Sequence, residues 1–179
     1  MSRHPRPPLL ALVAGLALCM AASADAHESK APASPAPPSV VTGKPATAGD
    51  IDPAAAGAVR VVDAFGAAIK AVDLAGAKAM LDPAVLILES GGAEHSRDEY
   101  MAGHAIADAA FLQGSRQQVR FRRATAQGGL AWVATESLIE RVDRGKKIAI
   151  VSTETMVLRQ LGSDWKIVHI HWSSRQEKE

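Results

Sequence analysis

Apolar residues recur at helical spacing in the first half of the folded chain and at strand spacing in the second. Asp52-Pro53 places an acceptor side chain at an N-cap and a proline at the first helical position. From there to Val72, residues Ala58, Val61, Val62, Phe65 and Ile69 fall on one helical face. Gly57 and Gly66 weaken that helix in isolation, so it needs tertiary packing, and they let a sheet approach closely. Asp73 caps a short helix through Met80, and Asp82-Pro83 stops it. Ala84 to Ser90 reads as a strand, Gly91-Gly92 as a turn and Ala93 to His95 as the return. Ser96-Arg97-Asp98-Glu99 is a capping box for a third helix running to Leu112 and closing at Gly114, with Tyr100, His104, Ala107 and Phe111 along one face.

Three strands follow, Gln117 to Ala126, Leu130 to Val142 and Lys147 to Leu161, joined as hairpins at Gln127-Gly128-Gly129 and Asp143-Arg144-Gly145. Gly162-Ser163 leads into the last strand, Asp164 to Arg175. Strict alternation there puts Trp165, Ile167, His169, His171 and Ser173 on one side, and Lys166, Val168, Ile170, Trp172 and Ser174 on the other. Both sides are largely apolar, as in a strand that is central in its sheet and covered twice. Helices first and a meander last, with no alternating strand-helix repeat, predict an α+β fold with an antiparallel sheet wrapped around helices.

Composition changes the picture at the amino terminus. Arg3 and Arg6, the apolar run Leu9 to Met20 and the small-x-small pattern Ala24-Asp25-Ala26 predict a signal peptide over residues 1–26, cleaved before His27. The run is about a dozen residues, short of the roughly 20 a membrane span needs, so no membrane association is expected after cleavage. Leu18, large and just ahead of Cys19, argues against a lipid anchor there. Residues 27–52, rich in Pro, Ala and Ser, read as a disordered linker, 53–175 as the domain and 176–179 as a charged tail. The expected location is the periplasm or outside the cell. The mature chain then has no cysteine, hence no disulfide or thiolate chemistry. Losing Arg3, Arg6 and Asp25 takes the 20 basic and 19 acidic residues to 18 and 18, a balance that offers no field for nucleic acid. Arg116, Arg120, Arg122 and Arg123 read as a solvated strand face.

The order of elements, with LILESGGAEHSRDEYMAGH in the middle and VSTETMVLRQLGSDWKIVHIHWSSR at the end, resembles the nuclear transport factor 2-like superfamily. Within it the chain is similar to exported SnoaL-like, ketosteroid isomerase-like domains. The resemblance covers Pro53 to Arg175 and implies a cone-shaped curved sheet, a fold shared by isomerases, cyclases, dehydratases, binding proteins and assembly domains. The isomerases use a tyrosine on the first helix, a protonated aspartate and an aspartate base. Here the first helix offers Phe65, the only tyrosine is Tyr100, and Asp82 precedes a proline as turn residues do, so steroid isomerisation is not expected to carry over.

The candidate chemistry centres on His169 and His171, two residues apart and roughly 6.5 to 7 Å along the backbone. With His104 from the helix above they could share a divalent ion, with Glu154, Glu136 or Glu89 adding a carboxylate. Without metal, His169 or His171 would act as acid or base, oriented by Glu154, with Tyr100 donating to an oxyanion. Histidines hydrogen-bonded for structural reasons alone are the third alternative. Trp132, Trp165, Met156, Phe111 and Phe121 would line the cavity, with His104 and Glu136 as its polar contacts. Val168, Ile170 and Trp172 would form the outer face, covered by a second copy, since relatives commonly dimerise through the sheet. The expected function is a small-molecule-binding domain of lyase or isomerase type with a histidine acid/base and no resident cofactor. The alternatives are a non-catalytic dimeric interaction protein with a filled cone, and a histidine-based metal-binding protein.

Overall fold

The computed structural model describes residues 50–177. The signal peptide, most of the linker and the end of the tail lie outside the described residues. Asp50 and Ile51, expected to belong to the linker, form a short strand β1 (Asp50–Ile51) parallel to the sheet edge at Arg123 and Ala124. Asp52 caps a single 3-10 turn, Pro53–Ala55, by accepting from the Ala54 amide at 2.9 Å. Helix α1 (Ala56–Lys70) follows, then α2 (Leu74–Met80), capped by Asp73 through the Gly76 amide. Strand β2 (Leu81–Glu89) and β3 (Gly92–Glu94) form the small hairpin. Asp82 and Pro83 fall where β2 loses register with its neighbour, between Leu81 and Leu86, which fits a proline that has no amide to donate to a ladder.

The third helix is two helices. The capping box forms, with Ser96 accepting from the Glu99 amide at 3.1 Å and Glu99 from the His95 amide at 2.8 Å. Helix α3 (Arg97–Ala102) ends at Gly103, whose φ of −138° and ψ of −85° are not helical, and α4 (His104–Leu112) restarts on a new heading. The expected stripe of Tyr100, His104, Ala107 and Phe111 is thereby broken. Tyr100 is buried, whereas His104 and Ala107 are exposed and α4 buries Ala105 and Ala109 instead.

Four long strands complete the chain: β4 (Arg116–Gln127), β5 (Leu130–Asp143), β6 (Lys146–Leu161) and β7 (Asp164–Gln176). The sheet runs β1-β4-β5-β6-β7-β2-β3, so β7 is central, as its composition predicts. The sheet is antiparallel except where β2 joins β7 and β1 joins β4, both parallel. This is the expected α+β architecture, helices enclosed by a mostly antiparallel sheet.

Alternation along β7 does not survive a bulge. Leu158 pairs with Ile167 and Val157 with His169, which leaves Val168 without a partner. One extra residue inverts the sidedness of everything beyond it. Trp165 and Ile167 face the helices, but past the bulge so do Ile170 and Trp172, while His171 is exposed on the outside. The buried core row is consequently Ala124, Val133, Met156, Ile170 and Ile87, directly paired across five strands and none more than 3% exposed. Helix α1 covers it with Ala58, Val62, Phe65 and Ile69. A side chain on Gly57 would reach within 2.7 Å of the Trp165 indole nitrogen, so the close approach of α1 to the sheet requires glycine at that point. Gly66 has nothing within 4 Å of such a side chain, and the space beside it is where the pocket lies.

Candidate ligand pocket

Two residues further along each strand the sheet turns polar. Arg122, Thr135, Glu154, Trp172 and Glu89 are paired in register across β4, β5, β6, β7 and β2, and all five line a hollow of about 410 Å³ between the sheet and the helices. Helix α1 contributes Phe65 to the wall, α3 Tyr100, and α4 Asp108 and Phe111.

The row is tied together by its own hydrogen bonds. The Trp172 indole donates to Glu154 Oε2 at 2.8 Å, and its ring stacks on Phe65 with centroids 6.5 Å apart and meets Tyr100 at 6.1 Å. Arg122 donates to Thr135 Oγ1 at 3.2 Å and pairs with Asp63 of α1 at 2.6 Å. The Tyr100 hydroxyl donates to Asp108 Oδ2 at 2.9 Å. Behind this pair the imidazole of His104 contacts the buried Glu94 of β3, whose second oxygen, Oε2, has no hydrogen-bond partner.

Burial sets the charge states, because a carboxylate taken from water loses hydration that few neighbours replace. Burial is the main force raising Glu154, opposed by the Trp172 hydrogen bond and by Arg122. Asp108 is raised by burial against the hydrogen bond from Tyr100. Glu89 is raised by burial and next by the charge of Asp108. Tyr100 is pushed well above the usual phenol range by burial and then by Asp108, which keeps its proton on. His104 is raised by its hydrogen bond to Glu94 and by that carboxylate's charge.

The expected site is only partly assembled. Glu154, Tyr100 and Phe111 line the hollow, as does Glu89. His169 and His171 do not, because the bulge turns them outward: His169 Nδ1 lies 2.9 Å from the Leu86 carbonyl oxygen and His171 is exposed. Glu136, between the lining residues Thr135 and Ser137, and Trp132, between the buried Ala131 and Val133, belong to the same outer face of β5. Met156 is core, and Trp165 packs beside Gly57 rather than in the pocket. The ion-binding trio of His104, His169 and His171 is not brought together, and among the described residues no three His, Cys, Asp or Glu side chains are gathered as ligands would be. Ile170 and Trp172 face the helices, so the outer patch expected from them and Val168 does not exist in that form. Arg122, taken for a solvated residue, turns inward beyond a register shift between Val119 and Phe121. Asp108 was legible as the one charge in the apolar helix His104–Leu112.

A mostly antiparallel sheet folded over helices with a polar hollow between them defines the nuclear transport factor 2-like, cystatin-like class. The chain belongs to the SnoaL-like domain family, whose pattern matches residues 59–176. It is 33% identical to a candidate ketosteroid isomerase of known structure from Shewanella frigidimarina, over 69% of this chain and 99% of that one, with a TM-score of 0.64. A nuclear transport factor 2-like protein of unknown function from Pseudomonas putida shares 19% identity over 68% and 87% of the two chains at a TM-score of 0.56. The association domain of C. elegans calcium/calmodulin-dependent kinase II shares 20% over 65% and 92% at 0.55. These last two likenesses concern the fold alone. No curated protein matches the chain.

Proposed function

We propose that this chain is an exported protein that holds a small, partly apolar organic molecule in the hollow and moves protons on it with carboxyl groups rather than histidines. The observation that carries this reading is the open volume of about 410 Å³ floored by Glu154, Trp172 and Glu89 in register, where a filled cone would have core side chains. Asp108, steered by the Tyr100 hydroxyl, serves as one of the proton-transferring groups. Glu89, raised by burial and by the charge of Asp108, serves as the other. Two carboxyls facing one hollow suit a lyase or isomerase, which takes a proton at one atom and returns it at another. The ketosteroid isomerase designation of the Shewanella relative agrees with proton transfer as the chemistry, although here the tyrosine comes from α3.

Gly66 provides the test. It lines the hollow on α1, and a side chain there meets no atom within 4 Å, so Gly66→Leu fills the pocket while favouring the helix. Native mass spectrometry of protein from the periplasm, together with a thermal-shift screen of small organic molecules, should find a ligand that the variant no longer binds while its Tm does not fall. A ligand retained unchanged by the filled variant would place binding elsewhere. Amino-terminal sequencing of the same protein should begin at His27.

A further inference from the structure

Six charged side chains line the hollow: Asp63, Lys70, Glu89, Asp108, Arg122 and Glu154. Asp63 and Arg122 satisfy each other at 2.6 Å. Three carboxyl groups then stand against one ammonium, and Lys70 sits at the last position of α1. Among the described residues one hydrogen bond reaches the carboxyl of Asp108 and one that of Glu154, both from aromatic side chains of the wall, and none reaches that of Glu89. Each of the three therefore keeps acceptor capacity that none of these hydrogen bonds uses.

Their arrangement around the aromatic wall is specific. Trp172 pairs in register with Glu154 on one neighbouring strand, whose carboxyl takes the indole N–H at 2.8 Å, and with Glu89 on the other. Asp108 is held beside the Tyr100 ring, which itself meets Trp172 at 6.1 Å. An ammonium group satisfies such a place twice over, since it donates up to three hydrogen bonds to carboxylates and is attracted by the negative face of an indole. A ligand carboxylate would meet repulsion at the same place, and its natural partner, Arg122, is engaged by Asp63 and Thr135.

We propose that the hollow selects an organic amine, its ammonium held between Glu89 and Asp108 beside the Trp172 and Tyr100 rings and its apolar body lying along Phe65 and Phe111. The inference rests on the reading of the hollow as a ligand pocket and adds the class of ligand.

Isothermal titration of the purified protein with phenethylammonium, phenethyl alcohol and hydrocinnamate at one pH separates the two ideas. The ammonium should bind at least about tenfold more tightly than the alcohol, the scale of a charge-assisted hydrogen bond with a cation-π contact, and the carboxylate most weakly. Asp108→Asn, which keeps an acceptor for the Tyr100 hydroxyl, should bring ammonium and alcohol to similar affinity, and Glu89→Gln supplies an independent check should the first variant unfold. Equal or tighter binding of the alcohol or the carboxylate, abolished by Gly66→Leu, overturns the amine class while leaving the pocket. No binding of any of the three overturns the amine class as well, and a small-molecule screen that also finds nothing removes the pocket reading beneath it.

Discussion

Two neighbouring rows on one face of the sheet, a single pleat repeat apart, differ in nearly every respect. Ala124, Val133, Met156, Ile170 and Ile87 are sealed under α1, while Arg122, Thr135, Glu154, Trp172 and Glu89 line a hollow. The same five strands supply both, so the sheet alone does not decide which part of the cone is solid. Helix α1 takes part in both: Val62 and Phe65 belong to the buried cluster that holds the first row, Phe65 also stacks on Trp172 of the second, and at Gly66 the helix has no side chain to fill the space. Stability and binding are thus separated by one repeat of the pleat.

The sharpest way to break this comparison is to truncate one residue of the sealed row and one that lines the hollow. Ile170→Ala should cost about 2–5 kcal/mol, since it removes a fully buried side chain and leaves a cavity. Ser152→Ala, beside the hollow and without packing to lose, should stay within about 0.5 kcal/mol. Urea denaturation measures both, and equal costs would mean that the hollow is packed in solution.

A smaller effect is expected where the two rows touch. Trp172→Phe keeps an aromatic ring against Phe65 but removes the N–H that reaches Glu154 at 2.8 Å. A largely buried carboxyl deprived of its donor costs about 1–3 kcal/mol. If the loss at neutral pH is no greater than that of a surface substitution, the bond does not hold the floor together.

Much of this was readable in the sequence, and the failures have one cause. Strands β3 to β7 fall within a residue of their expected limits because glycine-rich turns such as Gly128-Gly129 mark them, whereas β2 starts at Leu81 rather than Ala84, and Asp73 and Ser96 cap helices where capping chemistry predicts. The central place of β7 followed from its two apolar faces. Which face looks inward did not follow, because that depends on Val168 being left out of the ladder, and no glycine or proline announces the bulge. The same slip hid Arg122, and Gly103, an unremarkable residue for a helix by periodicity, redirected α4 so that Asp108 rather than His104 meets the pocket. Periodicity carries information within an element and loses it at each defect.

The pH dependence of the polar row sharpens the comparison further. Burial raises Glu154 above its ordinary value of 4.5, so the folded state holds this proton more tightly than the unfolded chain does. The stabilisation from that preference is fully present below about 4.5 and is lost as pH climbs through the folded-state value. Glu154→Gln has no charge to bury, so thermal melts should show it more stable than the wild type at pH 8, with the gap closing towards pH 4. A gap that widens on acidification would mean that the carboxylate is stabilised where it stands, by Arg122 outweighing burial.

The smallest effect should come from the residues that the sequence makes most conspicuous. His171 is exposed on the outer face and hydrogen-bonds to nothing among the described residues, so His171→Ala should change stability by no more than about 0.5 kcal/mol. His169 has the Leu86 carbonyl within 2.9 Å and helps join β2 to β7, so its loss should cost somewhat more, about 0.5–1.5 kcal/mol. Neither should alter the affinity for a ligand that Gly66→Leu excludes, because the backbone of β7 separates both rings from the hollow. A tenfold loss of affinity in His171→Ala, with stability unchanged, would show that the strand reaches the pocket without the bulge at Val168 and that the polar row has been assigned to the wrong side.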